Sequence, residues 1–306
     1  MRRPLLTVLV ALAVLGVPAA SAFALTPRQV FGIGNVGSDP AAAFADPALR
    51  ALRPRATRLI GNWNVARTPG AERDRVDAWY EASLAAGLEP LMSFQGFKQR
   101  HAPTVTAYAL AVRTAVARWP RIRDWQAWNE ENNATQPATY RHPVRAARYA
   151  HALERACPRC TVLPVTIQPS QTPARRSWLR RFLAAYGHTP RIWAVHGYSD
   201  ANRGTYVRLA HFLQAHPRGR VWITESGALA KFADAFPFDL ARQRRATRYV
   251  FGAATRFRAR VDRLYWWQWR GSSRPRRVRW DSGLLDGRGR PRPAYRAALA
   301  VRFARR

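Results

Sequence analysis

The sequence is almost without lysine and short of acid. Lys98 and Lys231 are its only lysines, and 51 basic residues stand against 18 acidic ones, for a formal charge of +33 over 306 residues. A charge of that size suits an anionic partner: an acidic polysaccharide, a cell-wall polymer or nucleic acid. It equally suits a composition in which arginine and alanine codons are favoured. The arginines are scattered through helical stretches and form no single cluster, which speaks against specific nucleic-acid recognition. Cysteine is scarcer still, with Cys157 and Cys160 the only two. Two thiols without further cysteine or histidine at suitable spacing exclude a closed zinc site. A redox Cys-x-x-Cys occupies a strand-to-helix turn, whereas this pair follows a helical stretch and precedes a strand. A small structural disulfide bracing that turn is the reading that remains. Past residue 22 no apolar run approaches the roughly 18 residues of a membrane span.

The start of the chain is the exception. Arg2 and Arg3 precede an apolar run from Leu5 to Val17, and Ala20-Ser21-Ala22 fits a small-x-small cleavage site. Cleavage after Ala24 fits nearly as well. The residues around Arg2-Arg3 match twin-arginine export poorly. Residues 1–22 therefore read as a signal peptide, and residues 23–306 as one domain that is secreted or held at the cell envelope. That length buries a large core without staples.

Eight short, near-continuous apolar runs follow: Val30–Val36, Ala56–Trp63, Glu89–Phe94, Asp124–Asn129, Thr161–Ile167, Ile192–Tyr198, Arg220–Glu225 and Arg263–Trp269. Runs of this kind are the signature of parallel strands covered on both faces. Helical stretches alternate with them: Arg73–Ala86, Val105–Trp119, Pro143–Ala156, Ser177–Tyr186, Thr205–Ala215, Leu240–Phe257 and Pro293–Ala304. Gly87 suits a helix C-terminus and Pro143 a first turn. Eight βα units in about 280 residues predict an α/β fold, a single (β/α)₈ TIM barrel. No linker or low-complexity tract interrupts it.

The literal Gly32-x-Gly34-x-x-Gly37 is a decoy. A dinucleotide site needs a helix opening at the third glycine, and Ser38-Asp39-Pro40 interrupts there. No acid ends the next strand to take a ribose. The glycines are expected to shape the first βα loop.

Two strands end in acid. Trp128-Asn129-Glu130 follows the fourth run, and Glu225 closes the seventh within Trp222-Ile223-Thr224-Glu225-Ser226-Gly227. Catalytic groups of this barrel sit at carboxyl ends of strands. Two carboxylates converging there suit glycoside hydrolysis, which uses one proton donor and one nucleophile or base. Glu130, with a raised pKa, is expected to be the acid/base and Glu225 the nucleophile. The bland alternative is that each acid is an ion-pair partner for an arginine.

These motifs resemble those of clan A glycoside hydrolases, over nearly the whole chain after residue 22. Asn129-Glu130 is similar to the clan's acid/base signature, which implies that Asn129 bonds the sugar 2-hydroxyl. His196-Gly197-Tyr198 matches His-x-Tyr, implying that Tyr198 donates to the nucleophile and His196 lines the site. Arg58 resembles the arginine that keeps the nucleophile ionised. Tyr265-Trp266-Trp267-Gln268-Trp269 matches the aromatic eighth strand that floors the sugar subsite. Trp266, Trp267 and Trp269 alternate inward and outward, with Trp267 on the opposite face from Trp266, so at least one of the three is expected to be barrel packing. Gly283-Leu284-Leu285-Asp286 through Pro293-Ala294-Tyr295 is similar to a closing segment of such families. One departure stands out: many relatives carry proline where this chain has Glu131. That acid is open to three readings: raising the pKa of Glu130, touching substrate, or facing an arginine.

Trp63 is a candidate either to stack on a sugar ring or to pack under a helix. Gln95, Gln168 and Gln268 are candidates to bond sugar hydroxyls, and His196 and Tyr198 also read as core residues. The resemblance implies a metal-free and cofactor-free, retaining β-glycosidase. It would act as a monomer on a carbohydrate, and short loops favour an open groove and a polymer. The arginines raise an acidic glycan as substrate. Two other classes fit part of the sequence: a non-catalytic glycan-binding protein on the same barrel, and an anionic-polymer binder driven by the arginine-rich surface. The latter leaves the strand-end acids unexplained.

Overall fold

The computed structural model describes residues 24–96, 102–170 and 172–301, so the expected signal peptide lies outside the described residues. The strands are β1 (Val30–Gly34), β2 (Ala56–Asn62), β3 (Glu89–Gln95), β4 (Asp124–Gln126), β5 (Thr161–Leu163), β6 (Thr166–Ile167), β7 (Ile192–His196), β8 (Arg220–Ser226), β9 (Lys231–Phe232), β10 (Val261–Trp267) and β11 (Trp280–Asp281). Nine form one sheet in the order β5-β4-β3-β2-β1-β10-β8-β7-β6, and all its pairings are parallel. The two ends of that order, β5 and β6, are pieces of the one run expected as Thr161–Ile167. Pro164 divides it, because proline has no N–H for the ladder. One piece pairs with β4 and the other with β7, so the barrel closes through the broken fifth strand. The outlying β9 and β11 pair antiparallel as a small flap.

The helices are α1 (Pro40–Ala45), α2 (Pro47–Ala51), α3 (Ala71–Ala85), α4 (Val105–Arg118), α5 (Pro137–Tyr140), α6 (Pro143–Ala156), α7 (Pro173–Tyr186), α8 (Tyr198–Arg203), α9 (Val207–Ala215), α10 (Leu240–Arg256) and α11 (Pro293–Ala300). Short α1, α2, α5 and α8 escape the periodicity, since four to six residues hold less than two turns. The first two start on proline behind an aspartate cap: Asp39 accepts from the Ala42 amide and Asp46 from the Ala48 amide, each at 2.9 Å. No helix opens at Gly37. Gly87 ends α3 with φ +68°. Cys157 and Cys160 form a disulfide between α6 and β5, with Cα atoms 5.3 Å apart. No helix among the described residues is long and apolar enough to cross a membrane.

Strand alternation divides the core into two shells. Outward residues such as Ile33, Leu59, Met92, Trp125, Val195, Ile223 and Trp266 pack under the helices. Inward residues Val30, Ala56, Leu91, Leu163, Ala194, Trp222 and Tyr265 fill the barrel. Below them Arg263 meets Glu89 at 2.8 Å and Asp124 at 3.1 Å, with its guanidinium 3.9 Å from the Trp222 ring centre.

The decoy glycines belong to this inner shell. Gly32 and Gly34 lie inside β1, so their role is in the strand, where a loop role was expected. A Cβ at Gly32 would stand 2.4 Å from the Tyr265 ring, and one at Gly34 2.4 Å from the Trp267 ring. Bare backbone there admits two inward aromatic rings from β10. Overpacking a full core costs about 1–3 kcal/mol. Gly32→Ala should therefore lower the urea midpoint by that equivalent; an unchanged midpoint would mean that Tyr265 has room to swing aside.

Candidate active site

Arg58 points inward from β2 and is fully buried. A buried guanidinium is costly unless its donors are met. Its Nη1 donates to Glu225 Oε1 at 2.6 Å, its Nη2 to Asn129 Oδ1 at 2.9 Å, and its Nε to Gln126 Oε1 at 3.3 Å. Residues from two distant segments thus converge on one side chain. The Trp267 ring lies 5.5 Å from the guanidinium.

Glu225 reaches this cluster through an irregularity. Trp222 faces inward and Ile223 outward. Strict alternation would send Thr224 in and Glu225 out. The ladder instead slips on both sides. Val195 pairs with Ile223 but His196 with Glu225, and Leu264 pairs with Ile223 but Trp266 with Ser226. The extra residue turns Glu225 back into the barrel, as bulges near functional sites do. Tyr198 Oη then donates to Glu225 Oε2 at 3.1 Å. Tyr198 opens α8 and does not extend β7.

Glu130 arrives by another route. The regular part of β4 ends at Gln126, and Trp128 turns outward to stack with Tyr149. Glu130 adopts φ +53°, a left-handed conformation rare for a residue with a side chain. Such positions cost on the order of 1–3 kcal/mol and cluster at functional sites. Three donors aim at its carboxylate. Gln168 Nε2 reaches Oε1 at 2.6 Å, Asn133 Nδ2 reaches Oε2 at 2.8 Å, and His196 Nδ1 lies 2.8 Å from Oε1. Arg175 Nη2 in turn donates to Gln168 Oε1 at 2.9 Å. Burial pushes the Glu130 carboxyl upward, but the His196 contact and charge, with Gln168 and Asn133, outweigh it and bring it down to about 2. The expected raised pKa is thus corrected to a lowered one.

His196 bridges the two acids. Its Nε2 lies 3.6 Å from Glu225 Oε1, and one ligand-type atom each of Glu130, His196 and Glu225 fall within 4.8 Å of one another. Such a trio has the donor types of a cation site, but the Arg58 charge already sits on Glu225.

The structure thus brings together Glu130, Glu225, Asn129, His196, Tyr198, Arg58 and Trp267. Trp266 and Trp269 are buried in the outer shell, on the opposite side of the strand from Trp267. Trp63 is half-buried against that outer core. No hydrogen bond or ring contact joins it to the carboxylates among the described residues. Gln168 binds Glu130, and Gln268 accepts from the Ser282 amide at 3.1 Å, anchoring the flap. The Gln95 carbonyl accepts from the Trp63 amide at 2.9 Å. Glu131 forms no salt bridge with an arginine among the described residues. It is fully buried, which pushes its carboxyl well up, and its Oε2 accepts from the Thr166 amide at 2.8 Å. It repairs the strand break beyond Pro164.

Sequence reasoning missed Asn133, Arg175 and Trp280. Asn133 had a signal, three residues beyond Glu130 in a polar turn. Trp280, on β11, meets the Tyr198 ring edge-on at 4.7 Å. It lies in an arginine-rich connection with no periodicity to flag it.

The depressed Glu130 pKa has a consequence for stability. A carboxyl at about 2 when folded, against 4.5 unfolded, contributes stability that is fully present above pH 4.5. That contribution is lost as pH falls towards 2. Glu130→Gln should flatten the melting-temperature profile between pH 4.5 and 2. An identical acid limb in the variant would show that Glu130 is not held ionised.

No family model matches the sequence, and no curated protein matches it. Solved structures do. The chain is similar to a monomeric beta-xylosidase from Caulobacter crescentus CB15, with TM-score 0.62 and 16% identity over 90% of this chain and 68% of that one. It is similar to a glucosidase from Croceicoccus marinus, with TM-score 0.65 and 12% identity over 92% and 69% of the two chains. A psychrophilic glycoside hydrolase family 10 endo-beta-1,4-xylanase gives TM-score 0.60 and 11% identity over 89% and 96%. What is shared at these identities is the fold: this chain is a (β/α)₈ barrel of the form those hydrolases use.

Proposed function

We propose that this chain is a secreted, retaining β-glycosidase that hydrolyses O-glycosidic bonds in a poly- or oligosaccharide. The observation that carries the reading is the pair of acids at the strand mouths, each with an oxygen within 4.8 Å of the other's. Retaining enzymes hold their carboxyl groups about 5–5.5 Å apart, whereas inverting ones need about 6.5–9.5 Å to admit a water. Likeness to hydrolases of several glycosidase families supports the same class.

In the first step a Glu225 carboxylate oxygen attacks the anomeric carbon. The glycosidic C–O bond breaks as Glu130 gives its proton to the departing oxygen. In the second step Glu130 takes a proton from water, whose oxygen attacks the anomeric carbon and releases the Glu225 carboxylate. Arg58 and Tyr198 orient Glu225 for attack. Asn129, held by Arg58, is directed at the sugar 2-hydroxyl, and Trp267 floors the subsite. Trp280 extends the aromatic wall beside Tyr198.

For the first step Glu130 must be protonated. Substrate covering the mouth strengthens the burial that already opposes its ionisation, and displaces the Gln168 and Asn133 donors. Both changes drive Glu130 towards the neutral acid. All these groups come from one barrel, so a monomer suffices. Export and a disulfide belong to the same proposal. The arginine-rich surface makes an acidic glycan the substrate that charge favours.

The test is a reducing-sugar assay of residues 23–306 against neutral and uronate-containing β-glycans. Glu130→Gln and Glu225→Gln should each lose at least about 10²-fold in kcat, and the first product should keep the β-anomer by NMR. An α-anomer would refute retention. Glycan binding without turnover in the unaltered chain would move the protein to the non-catalytic class.

A further inference from the structure

Most arginines that burial strips of water have found partners. Arg58 has Glu225, Arg263 has Glu89 and Asp124, and Arg292 has Asp281. Arg242 and Arg260 are each fixed by three backbone carbonyls. Arg175 is an exception. It is half-buried on the first turn of α7, and its one acceptor among the described residues is the neutral amide oxygen of Gln168. No carboxylate forms a salt bridge with it among those residues. Loss of water disfavours its charge, with Glu130 acting the other way and Arg208 adding to the strain.

Arg208, on α9, carries a second guanidinium, whose charge acts against that of Arg175. Its neighbour Asp200 stands 3.7 Å away. That acid is already committed to the Arg208 and Leu209 amides at 3.2 and 2.9 Å and the Thr205 hydroxyl at 3.1 Å. The carboxylate beside Arg208 thus has its oxygens already in use.

The position of this pair is specific. Arg58 and Trp267 rise from β2 and β10, and hold the half of the rim where Glu225 takes the sugar. Gln168 and Arg175 follow β6, on the opposite half of the barrel order. The Glu130–Gln168–Arg175 chain starts at the proposed proton donor, the group that meets the leaving-group oxygen, and runs out to α7.

We propose that Arg175 forms an anion-recognising subsite for the departing sugar, and that this sugar carries a carboxylate, as a uronate does. The planar guanidinium fork matches a carboxylate through two parallel hydrogen bonds. The inference rests on the glycosidase reading and narrows its substrate class.

The experiment uses two oligosaccharides identical except for the leaving sugar, glucuronate in one and glucose in the other. The unaltered protein should prefer the uronate by about tenfold or more in kcat/KM at low salt, and less as salt rises. Arg175→Gln also loosens Gln168, so both substrates should suffer. The loss on the uronate should exceed the loss on glucose by about tenfold, mainly through KM, and Arg175→Lys should recover part of it. Equal losses on both substrates would reduce Arg175 to a positioning residue for Gln168 and overturn the subsite.

A binding arm stands apart from turnover. Glu130→Gln, titrated calorimetrically with the uronate oligosaccharide, should bind about tenfold more weakly once Arg175→Gln is added. An unchanged Kd overturns the subsite. Should no glycan be turned over while this Kd still shifts, the hydrolase reading fails and the anion subsite stands.

Discussion

The buried pairing of Arg58 with Glu225 is the constraint around which the site is built. A guanidinium with no exposure must have its charge answered and its fork filled, or several kcal/mol of desolvation go uncompensated. Its answers come from Glu225 on β8, Asn129 beyond β4 and Gln126 on β4. One side chain on β2 therefore ties together strands that are far apart in the barrel order. Gly34, beside Arg58 in the β1–β2 register, leaves the space that Trp267 fills above the charge. Bulge, glycine and aromatic ring are three accommodations to one buried cation.

The second acid lives by different rules. Among the described residues Glu130 forms no salt bridge with an arginine, and its donors are an amide from a strand end, an amide from its own turn, and a shared imidazole. Gln168 and Asn133 are partly exposed, whereas the fork beneath Glu225 is fully buried. Two carboxylates held so differently are suited to two roles. His196 joins them, so a change of charge at either acid is felt at the other.

The broken fifth strand links architecture to chemistry. Pro164 removes a ladder donor, and side chains repair the gap. Glu131 takes the Thr166 amide, Asn132 pairs with both backbone groups of Gln168, and Gln126 and the Thr166 hydroxyl share the Trp128 carbonyl. These bonds fix where Gln168 emerges, and Gln168 meets Glu130. The acid following Glu130 acts on the scaffold, and through it on Gln168.

Much of the barrel was legible because strands buried on both faces read as short apolar runs, and helices between them as amphipathic stretches. All eight runs contain strand, and the acids at the tips of the fourth and seventh converge. Parity alone separated Trp267 from Trp266. The same parity, applied to β8, would have turned Glu225 away from the cavity, because a ladder slip depends on neighbouring strands and leaves no mark in its own sequence. The inward glycines of β1 were legible only as a loop motif, since the rings that need the space are more than 200 residues away. Glu131 read as a site acid because its true partner, one backbone amide beyond a proline, is a matter of packing. By itself the sequence determined the order of elements and which ends carry acid, both set by local composition. Tertiary structure decided which way those acids point, what charge surrounds them and that Arg175 meets a neutral amide oxygen, because long-range contacts set each of these.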